Sequence, residues 1–305
     1  MKVSVLIATR NREAPLLRCL RTLTEQEVPD DFEIIVVDDA SDQLDVRSRV
    51  ADEFGDRVVC YRTGSPRGVA GARNLLIAKA TGDVLVFLDD DAFPMDRSAI
   101  FNVKRYFDEH PRCGVLAFKI HDIQPGLDTL LVPFSKHALR GNPRLAEEEG
   151  KVSYFIGAGH ALRRDVVVRA GIYQDNFVYG LEELDLSYRA IQAEFEIHYC
   201  PGIRIEHRPA PSVLVQNSKR LDAELLYRVK NRFYLVKRYL PLPYPLTYLP
   251  VWLTKHAIDA VSRGALRAYF RGILEGVRGL AAVPRTPLSP EAVAYLKENH
   301  GRLWY

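Results

Sequence analysis

Three consecutive carboxylates, Asp89-Asp90-Asp91, close the apolar run Val84-Leu85-Val86-Phe87-Leu88 and are followed by Ala92-Phe93-Pro94. An unbroken apolar run of this length reads as a buried strand. Three acids at its exit repel one another and resist burial unless a cation or a set of donors balances them. A hard divalent ion, which prefers oxygen ligands and tolerates bridging phosphates, supplies that balance. The run then marks a metal–phosphate site where a strand ends, the usual ligand position in open α/β sheets. The competing reading is an acidic turn facing water.

The chain before this point decides between the two. Val3–Ala8 reads as a first strand, too short in its apolar part for a secretory leader. Leu16, Leu17, Leu20 and Leu23 recur at helical spacing after it, with Pro15 suited to a first turn. Phe32–Val37 is a second strand that exits into Asp38-Asp39. A helix over about 44–54, a strand at 57–61 and the segment Arg67-Gly68-Val69-Ala70-Gly71-Ala72-Arg73-Asn74 follow. Its glycines permit close backbone approach, and amides at a helix start attract phosphate. The spacing is unlike the dinucleotide-binding glycine fingerprint, which also follows the first strand. Alternating strands and helices over the first ninety residues predict an α/β fold with a mostly parallel sheet. Acids at two strand ends, 38–39 and 89–91, predict one shared crevice.

Beyond it, 97–109 reads as a helix and 114–120 as a strand. Residues 121–150 lose periodicity and read either as a lid or acceptor loop or as an insertion without chemistry. Small residues at Gly157-Ala158-Gly159 leave room for another group. A helix from Glu182 carries Glu182, Glu183 and Asp185 in its first turn. Acids there offset the helix dipole, but three exceed that need, so one of them is a candidate general base. His207 ends a strand-like stretch as either a core histidine or a site residue.

Charge is unevenly placed. Residues 1–203 sum to −7 and residues 204–280 to +9, within a total of +3. A basic segment meets nucleic acid, anionic lipid or a phosphorylated substrate. The acidic first two thirds and the lack of a zinc-finger or aromatic RNA-binding motif argue against nucleic acid. The four cysteines, at 19, 60, 113 and 200, have no paired metal-ligand spacing, which argues for a reducing compartment. Pro241, Pro243, Pro245 and Pro250 interrupt the apolar stretch 239–254 and argue against a spanning helix. Residues 225–280 read as an interfacial or acceptor-holding helical segment, with a cover on the main domain or a homodimer surface as alternatives. The last 25 residues, with Pro284, Pro287 and Pro290, read as a loose arm ending in Trp304-Tyr305.

Taken in order, Val3–Asn11, Ile35–Ser41, Gly71–Asn74 with Phe87–Asp91, and Gly157–Arg164 with Tyr179–Arg189 resemble the inverting nucleotide-sugar glycosyltransferases of family 2, rhamnosyltransferase-like members above all. The likeness covers about 1–210. It implies a GT-A fold, a Rossmann-like mixed and mostly parallel sheet flanked by helices. Residues 1–215 would be the glycosyltransferase domain, with a nucleotide-binding half to about 120 and an acceptor half after it. Residues 216–305 would be a basic helical extension with its loose arm. The resemblance implies donor-nucleotide contacts at Ala8, Thr9, Asn11, Asp38, Asp39, Arg73, Asp89 and Asp90. It implies a Mg²⁺ or Mn²⁺ ion on Asp91, with Asp89 on ribose or reaching the ion through water and His207 completing the set. Asp90 fills the motif's variable position and is expected to be expendable. The family's base is the Asp of a Glu-Asp pair; here that position is Glu183 in Glu182-Glu183, with Glu182 and Asp185 as alternatives. The implied partners are a nucleoside-diphosphate sugar and a saccharide or lipid-linked saccharide acceptor, in cell-envelope or polysaccharide assembly. The implied location is cytoplasmic, at the inner face of the cell membrane. A nucleotidyltransferase acting on a sugar phosphate, and a non-catalytic protein binding through its basic tail, are the alternatives.

Overall fold

The computed structural model describes residues 1–28, 31–42, 45–177, 179–209 and 218–303. Strand β1 (Val3–Thr9) leads through α1 (Glu13–Thr24) to β2 (Phe32–Asp38), then α2 (Val46–Phe54), β3 (Val58–Arg62), α3 (Gly68–Lys79) and β4 (Val84–Asp89). Short β5 (Ala92–Pro94), α4 (Ala99–Glu109), β6 (Cys113–Gln124), β7 (Leu127–Leu131), α5 (Lys136–Gly141), β8 (Gly150–Val152) and β9 (Gly159–Arg163) follow. Then come α6 (Arg164–Ala170), α7 (Glu182–Gln192), β10 (Glu196–His207), α8 (Ser218–Tyr239), α9 (Pro245–Arg263), α10 (Leu266–Gly279) and α11 (Pro290–Glu298).

One mixed sheet runs β3-β2-β1-β4-β9-β6-β10-β5, with β7 on β6 and β8 on β10. Strands β3, β2, β1 and β4 are parallel neighbours. β9 runs antiparallel between β4 and β6, and β6 pairs in parallel with β10. Both sheet faces are covered, which is why the middles of β1, β2 and β4 are continuous apolar runs and do not alternate. Leu6, Ile35, Leu85 and Phe87 pack under α3, α7 and the carboxyl-terminal helices. Val5, Ile7, Val36, Val86 and Leu88 pack under α1, α2 and α4.

Register brings the site together. Thr9 lies opposite Asp38, and Ala8 lies between Val37 and Asp89, so three strands end at one edge. At the other end of the sheet His207 pairs with Asp122 of β6 and Ala92 of β5. Ala92 directly follows the acidic triplet, so pairing of β5 with β10 carries His207 back to Asp91.

Two expectations change. Residues 121–150 are not irregular throughout: β6 continues to Gln124 and turns at Gly126, with φ +75°, into β7. The loose arm is also corrected. Pro290 occupies the first turn of α11, and Ser289 caps it by accepting from the Ala292 amide at 3.1 Å. Leu288, Ala292, Val293, Leu296 and Leu303 are buried in the same core as the sheet, and the Tyr295 hydroxyl lies 2.9 Å from the Ile197 amide, which donates to it. Prolines signal loops, yet Pro290 starts a helix whose apolar residues recur at helical spacing. Trp304, Tyr305 and the expected boundary at 215/216 lie outside the described residues.

Helix α10 lies on α8 at glycine distance. A Cβ at Gly276 would stand 2.6 Å from the Phe233 ring, and one at Gly272 would stand 2.8 Å from the Leu226 carbonyl oxygen. Among the described residues no helix is long and apolar enough to cross a membrane.

If α11 belongs to the core, Leu296→Ala destabilises the whole chain by about 2–4 kcal/mol, the cost of a buried leucine cavity. Urea unfolding measures it. A loss below about 0.5 kcal/mol would mean that α11 is not docked.

Candidate active site

Asp89, Asp91 and His207 each turn one ligand atom inward, and these atoms lie within 4.8 Å of one another. Asp91 Oδ1 stands 3.3 Å from His207 Nε2 but is buried without a hydrogen-bond partner of acceptable geometry. Two ligands at right angles on an ion with ~2.1 Å bonds stand about 3.0 Å apart. The spacing and the unsatisfied oxygen therefore fit a divalent cation. The other ring nitrogen, Nδ1, donates to Asp122 Oδ1 at 2.6 Å, which fixes the ring and aims Nε2 at Asp91. Burial would lower the imidazole's pKa, but Asp91, Asp122 and Asp89 overcome it and raise it to about 9. Burial would raise the Asp91 carboxyl, yet His207 and Arg12 hold it below the usual carboxylate range.

Two residues of this centre went unassigned in the sequence. Asp122 follows the apolar strand Gly114–Ile120, the same signal that marked Asp38 and Asp89. Arg12 binds Asp90 Oδ1 at 3.0 Å and also contacts Asp91 Oδ2, so it offsets the triplet from the side away from the ion position. Asp90 is consequently not a free surface acid. It is buried, accepts from the Thr9 hydroxyl at 2.6 Å, and is pushed up to about 7 by burial against the pull of Arg12 and Thr9. The expectation that Asp90 is expendable is corrected: removing it strands the Thr9 hydroxyl and half of the Arg12 guanidinium.

A crevice of about 500 Å³ opens beside the cluster, lined by Ala8, Thr9, Asp39, Arg73, Asp89, Asp90, Asp91 and His207 among others. Two residues expected there have other partners. Asp38 is fully buried and accepts from the Ser41 amide and from Arg62 at 3.1 Å each. Asn11 exchanges two 2.8 Å hydrogen bonds with Asp42. Both hold the loops after β1 and β2, and neither lines the crevice. Asp39 lines it but accepts from the amides of Arg67 and Gly68, at 2.8 and 2.9 Å. The helix-start amides expected to meet phosphate are thus taken by Asp39, which anchors α3.

Helix α3 in turn places Arg73. Its guanidinium is buried, donates to the Gly157 carbonyl oxygen at 3.0 Å and to Asp89 at 3.4 Å, and lies 3.6 Å from Glu183 and 4.0 Å from Glu182. The space noted at Gly157 is filled by Glu183: a Cβ there would come within 2.0 Å of Glu183 Oε1.

The three first-turn acids of α7 have separate fates. Asp185 is fully buried in a network with Arg189 at 2.6 Å and the Tyr239 hydroxyl at 2.6 Å, which ties α7 to α8. It is spent on packing, which corrects its candidacy as the base. Glu182 is buried; burial, then the neighbouring Glu183, raise its pKa to about 8 despite Arg73. It holds a proton at neutral pH. Glu183 keeps 21% side-chain exposure and faces a second cavity. The turn that presents these acids is left-handed at both Gly180 and Leu181, φ 73° and 74°. Leucine rarely adopts that conformation. Asn231 of α8 holds it by donating to the carbonyls of Tyr179 and Gly180 at 3.0 and 2.8 Å. No sequence motif pointed to Asn231.

The proton on Glu182 has a stability consequence. Below pH about 4.5 the folded and unfolded states both hold it. Between about 4.5 and 8 only the folded state does, so folding becomes progressively less favourable, by up to ~1.4 kcal/mol per pH unit. Glu182→Gln removes this term. Its melting temperature should rise relative to the wild type as pH goes from 5 to 8, with the difference constant above that. A difference independent of pH would refute the protonated state.

The model of glycosyl transferase family 2 matches residues 4–170. An uncharacterized glycosyltransferase of Bacillus subtilis, YfnE, is 25% identical over 268 residues, 73% of this chain and 67% of its own length. The solved Staphylococcus aureus TarS 1–349 in complex with UDP-GlcNAc superposes with a TM-score of 0.62 at 16% identity, covering 93% of this chain and 82% of that one. The mannosyltransferase PcManGT of Pyrobaculum calidifontis, solved with GDP-Man and Mn²⁺, does so with a TM-score of 0.53 at 19% identity, covering 97% and 74%. The sheet order, the flanking helices and the acid–histidine centre at the strand ends are those of a GT-A fold, and with more than half of its length matched the chain belongs to glycosyl transferase family 2.

Proposed function

We propose that this glycosyltransferase moves a glycosyl group from a nucleoside-diphosphate sugar to an acceptor hydroxyl, with inversion, using Asp89, Asp91 and His207 as metal ligands and Glu183 as general base. The observation that carries the reading is the position of Arg73, which contacts Asp89 on the metal side and Glu183 on the other. The two acid sets therefore face each other across one crevice wall. A bound divalent ion offsets the negative charge of the departing diphosphate. Mn²⁺ suits the mixed carboxylate–imidazole set better than Mg²⁺, because imidazole favours the softer ion. Glu183 is the base because Glu182 is protonated and Asp185 is paired elsewhere; it takes the proton from the attacking hydroxyl. One base and, among the described residues, no nucleophile opposite it favour a single displacement. Ala8, Thr9 and Asp39 shape the nucleoside end of the crevice, Asp39 by holding the loop that carries α3.

A screen of nucleoside-diphosphate sugars with Mn²⁺ or Mg²⁺, reading nucleoside diphosphate release, tests the reaction class. A nucleotidyltransferase would release pyrophosphate instead. Asp91→Ala should abolish metal-dependent donor binding. Glu183→Gln should keep donor binding and lose transfer by about 10²–10⁴-fold, the usual worth of general-base catalysis. Normal transfer by Glu183→Gln sinks the base assignment, and a retained anomeric configuration sinks the single displacement.

The extension supports peripheral membrane contact at the inner face of the cell membrane. Leu246, Ile258, Val261, Phe270, Leu274 and Val277 are exposed on α9 and α10, among Arg263, Arg267, Arg271 and Arg278. Apolar residues beside arginines suit an anionic interface. Such an acceptor surface fits cell-envelope assembly. The chain should sediment with anionic vesicles, less so as salt rises, and stay in solution with neutral ones. Concentration-dependent dimerisation without vesicle binding would assign the face to a second copy.

A further inference from the structure

A second cavity, of about 320 Å³, lies on the far side of Glu183. The glycosyltransferase domain supplies one wall, with Tyr154, Phe155, Leu184 and Tyr188. The other comes from the carboxyl-terminal third: Arg232 of α8, Tyr248 and Trp252 of α9, and Arg302. Of the described lining residues, Glu183 alone is acidic, and it is paired with Arg73.

Arg232 is only 6% exposed. Its guanidinium lies 3.5 Å from the Trp252 ring centroid and donates to the Tyr248 hydroxyl. Its Nε is buried without a hydrogen-bond partner. Among the described residues no carboxylate comes within ion-pair distance of it. Arg302 repeats the pattern on the same wall, against Tyr154 of the opposite one. It donates to the Tyr154 hydroxyl at 3.1 Å, lies 5.6 Å from that ring, and also leaves its Nε buried and unpartnered.

Arg232 out of water and Arg302 partly so, with hydroxyls and aromatic faces as neighbours and no counter-charge among the described residues, are costly to maintain. The cations also act on their surroundings. Burial and the positive field of Arg232, Arg228 and Lys255 lower the His256 imidazole to about 4, so it stays neutral and does not add to the charge. Guanidiniums bind phosphoryl oxygens in a bidentate way, and flat aromatic faces accept sugar rings or isoprenoid chains.

We propose that this cavity takes a phosphate-bearing acceptor, whose phosphoryl group sits on Arg232 and Arg302 while its hydroxyl is presented to Glu183. The assignment rests on Glu183 being the base. The phosphate belongs either to a soluble sugar or polyol phosphate or to the headgroup of a lipid-linked one. The structure supports both through the same chemistry, with the polar end at the arginines.

Calorimetric titration of the full chain in a chelator, which keeps metal out of the donor crevice, separates them. Glycerol 1-phosphate and farnesyl phosphate are the two anionic probes, each against its neutral alcohol. Saturable binding of either phosphate, with at least tenfold weaker binding of its alcohol, is expected. Arg232→Gln and Arg302→Gln should each weaken the phosphate at least tenfold. Arg302, near the end of the chain, decides the matter alone if Arg232→Gln does not fold. The proposal is overturned if neither phosphate binds, if the alcohols bind equally well, or if the variants bind like the wild type. Donor binding by the wild-type chain with Mn²⁺ is measured separately. A chain that binds donor but neither phosphate loses this subsite and keeps the transferase reading. One that binds phosphate through both arginines but no donor does the reverse.

Discussion

The site depends on one buried cation. Arg73 is 5% exposed at the wall of the crevice, and its charge is met by Asp89 from the sheet, Glu183 from α7 and a carbonyl of the 157 turn, with the protonated Glu182 4.0 Å away. A buried guanidinium is tolerated only when such partners surround it. The reverse also holds: without Arg73 the carboxylates of Asp89 and Glu183 would face one another beside Glu182. This single side chain thus ties the end of β4 to the start of α7. It is aimed by α3, whose start is tied to Asp39 at the end of β2. The acid at the second strand end therefore acts on the first through a helix.

The metal ligands follow a similar logic on the other side. Asp89 and Asp91 leave β4, while His207 comes from β10, several strands away in the sheet order. The three-residue strand β5 closes that gap by pairing Ala92 with His207. Parallel pairing of β10 with β6 then puts Asp122 behind the imidazole. Among the described residues the sheet alone assembles the centre.

Sequence reading found the strand ends because continuous apolar runs and acids at their exits are one-dimensional signals. The same reading failed where direction mattered. Asp38, Asn11 and Asp185 carry the right chemistry at the right positions, but each side chain turns to a local partner: Arg62, Asp42 and Arg189. Arg12 and Asp122 were visible as residues yet had no role, since their value comes from contacts nearly 80 residues or more away in the chain. Prolines misled at the end of the chain, where Pro290 begins a helix and the apolar spacing of Ala292, Val293 and Leu296 was the better guide.

The carboxyl-terminal third shows what the family motif leaves out. The match ends at residue 170, before Glu183. The turn ahead of Glu183 adopts a conformation that a leucine disfavours, and Asn231 from α8 holds its carbonyls. Asp185, two residues further, is locked by Tyr239 and Arg238 of the same helix. The α7 start is thus clamped by α8 on both sides of Glu183. Strain of this kind persists only where the surroundings over-determine it. A helix that supplies both the clamp and, through Arg232, one wall of the cavity cannot be a tail attached to a finished enzyme. The strand ends can assemble the crevice beside Asp89 and Asp91 without it, whereas the placement of Glu183 and the shape of the space in front of it depend on α8 and the helices packed against it.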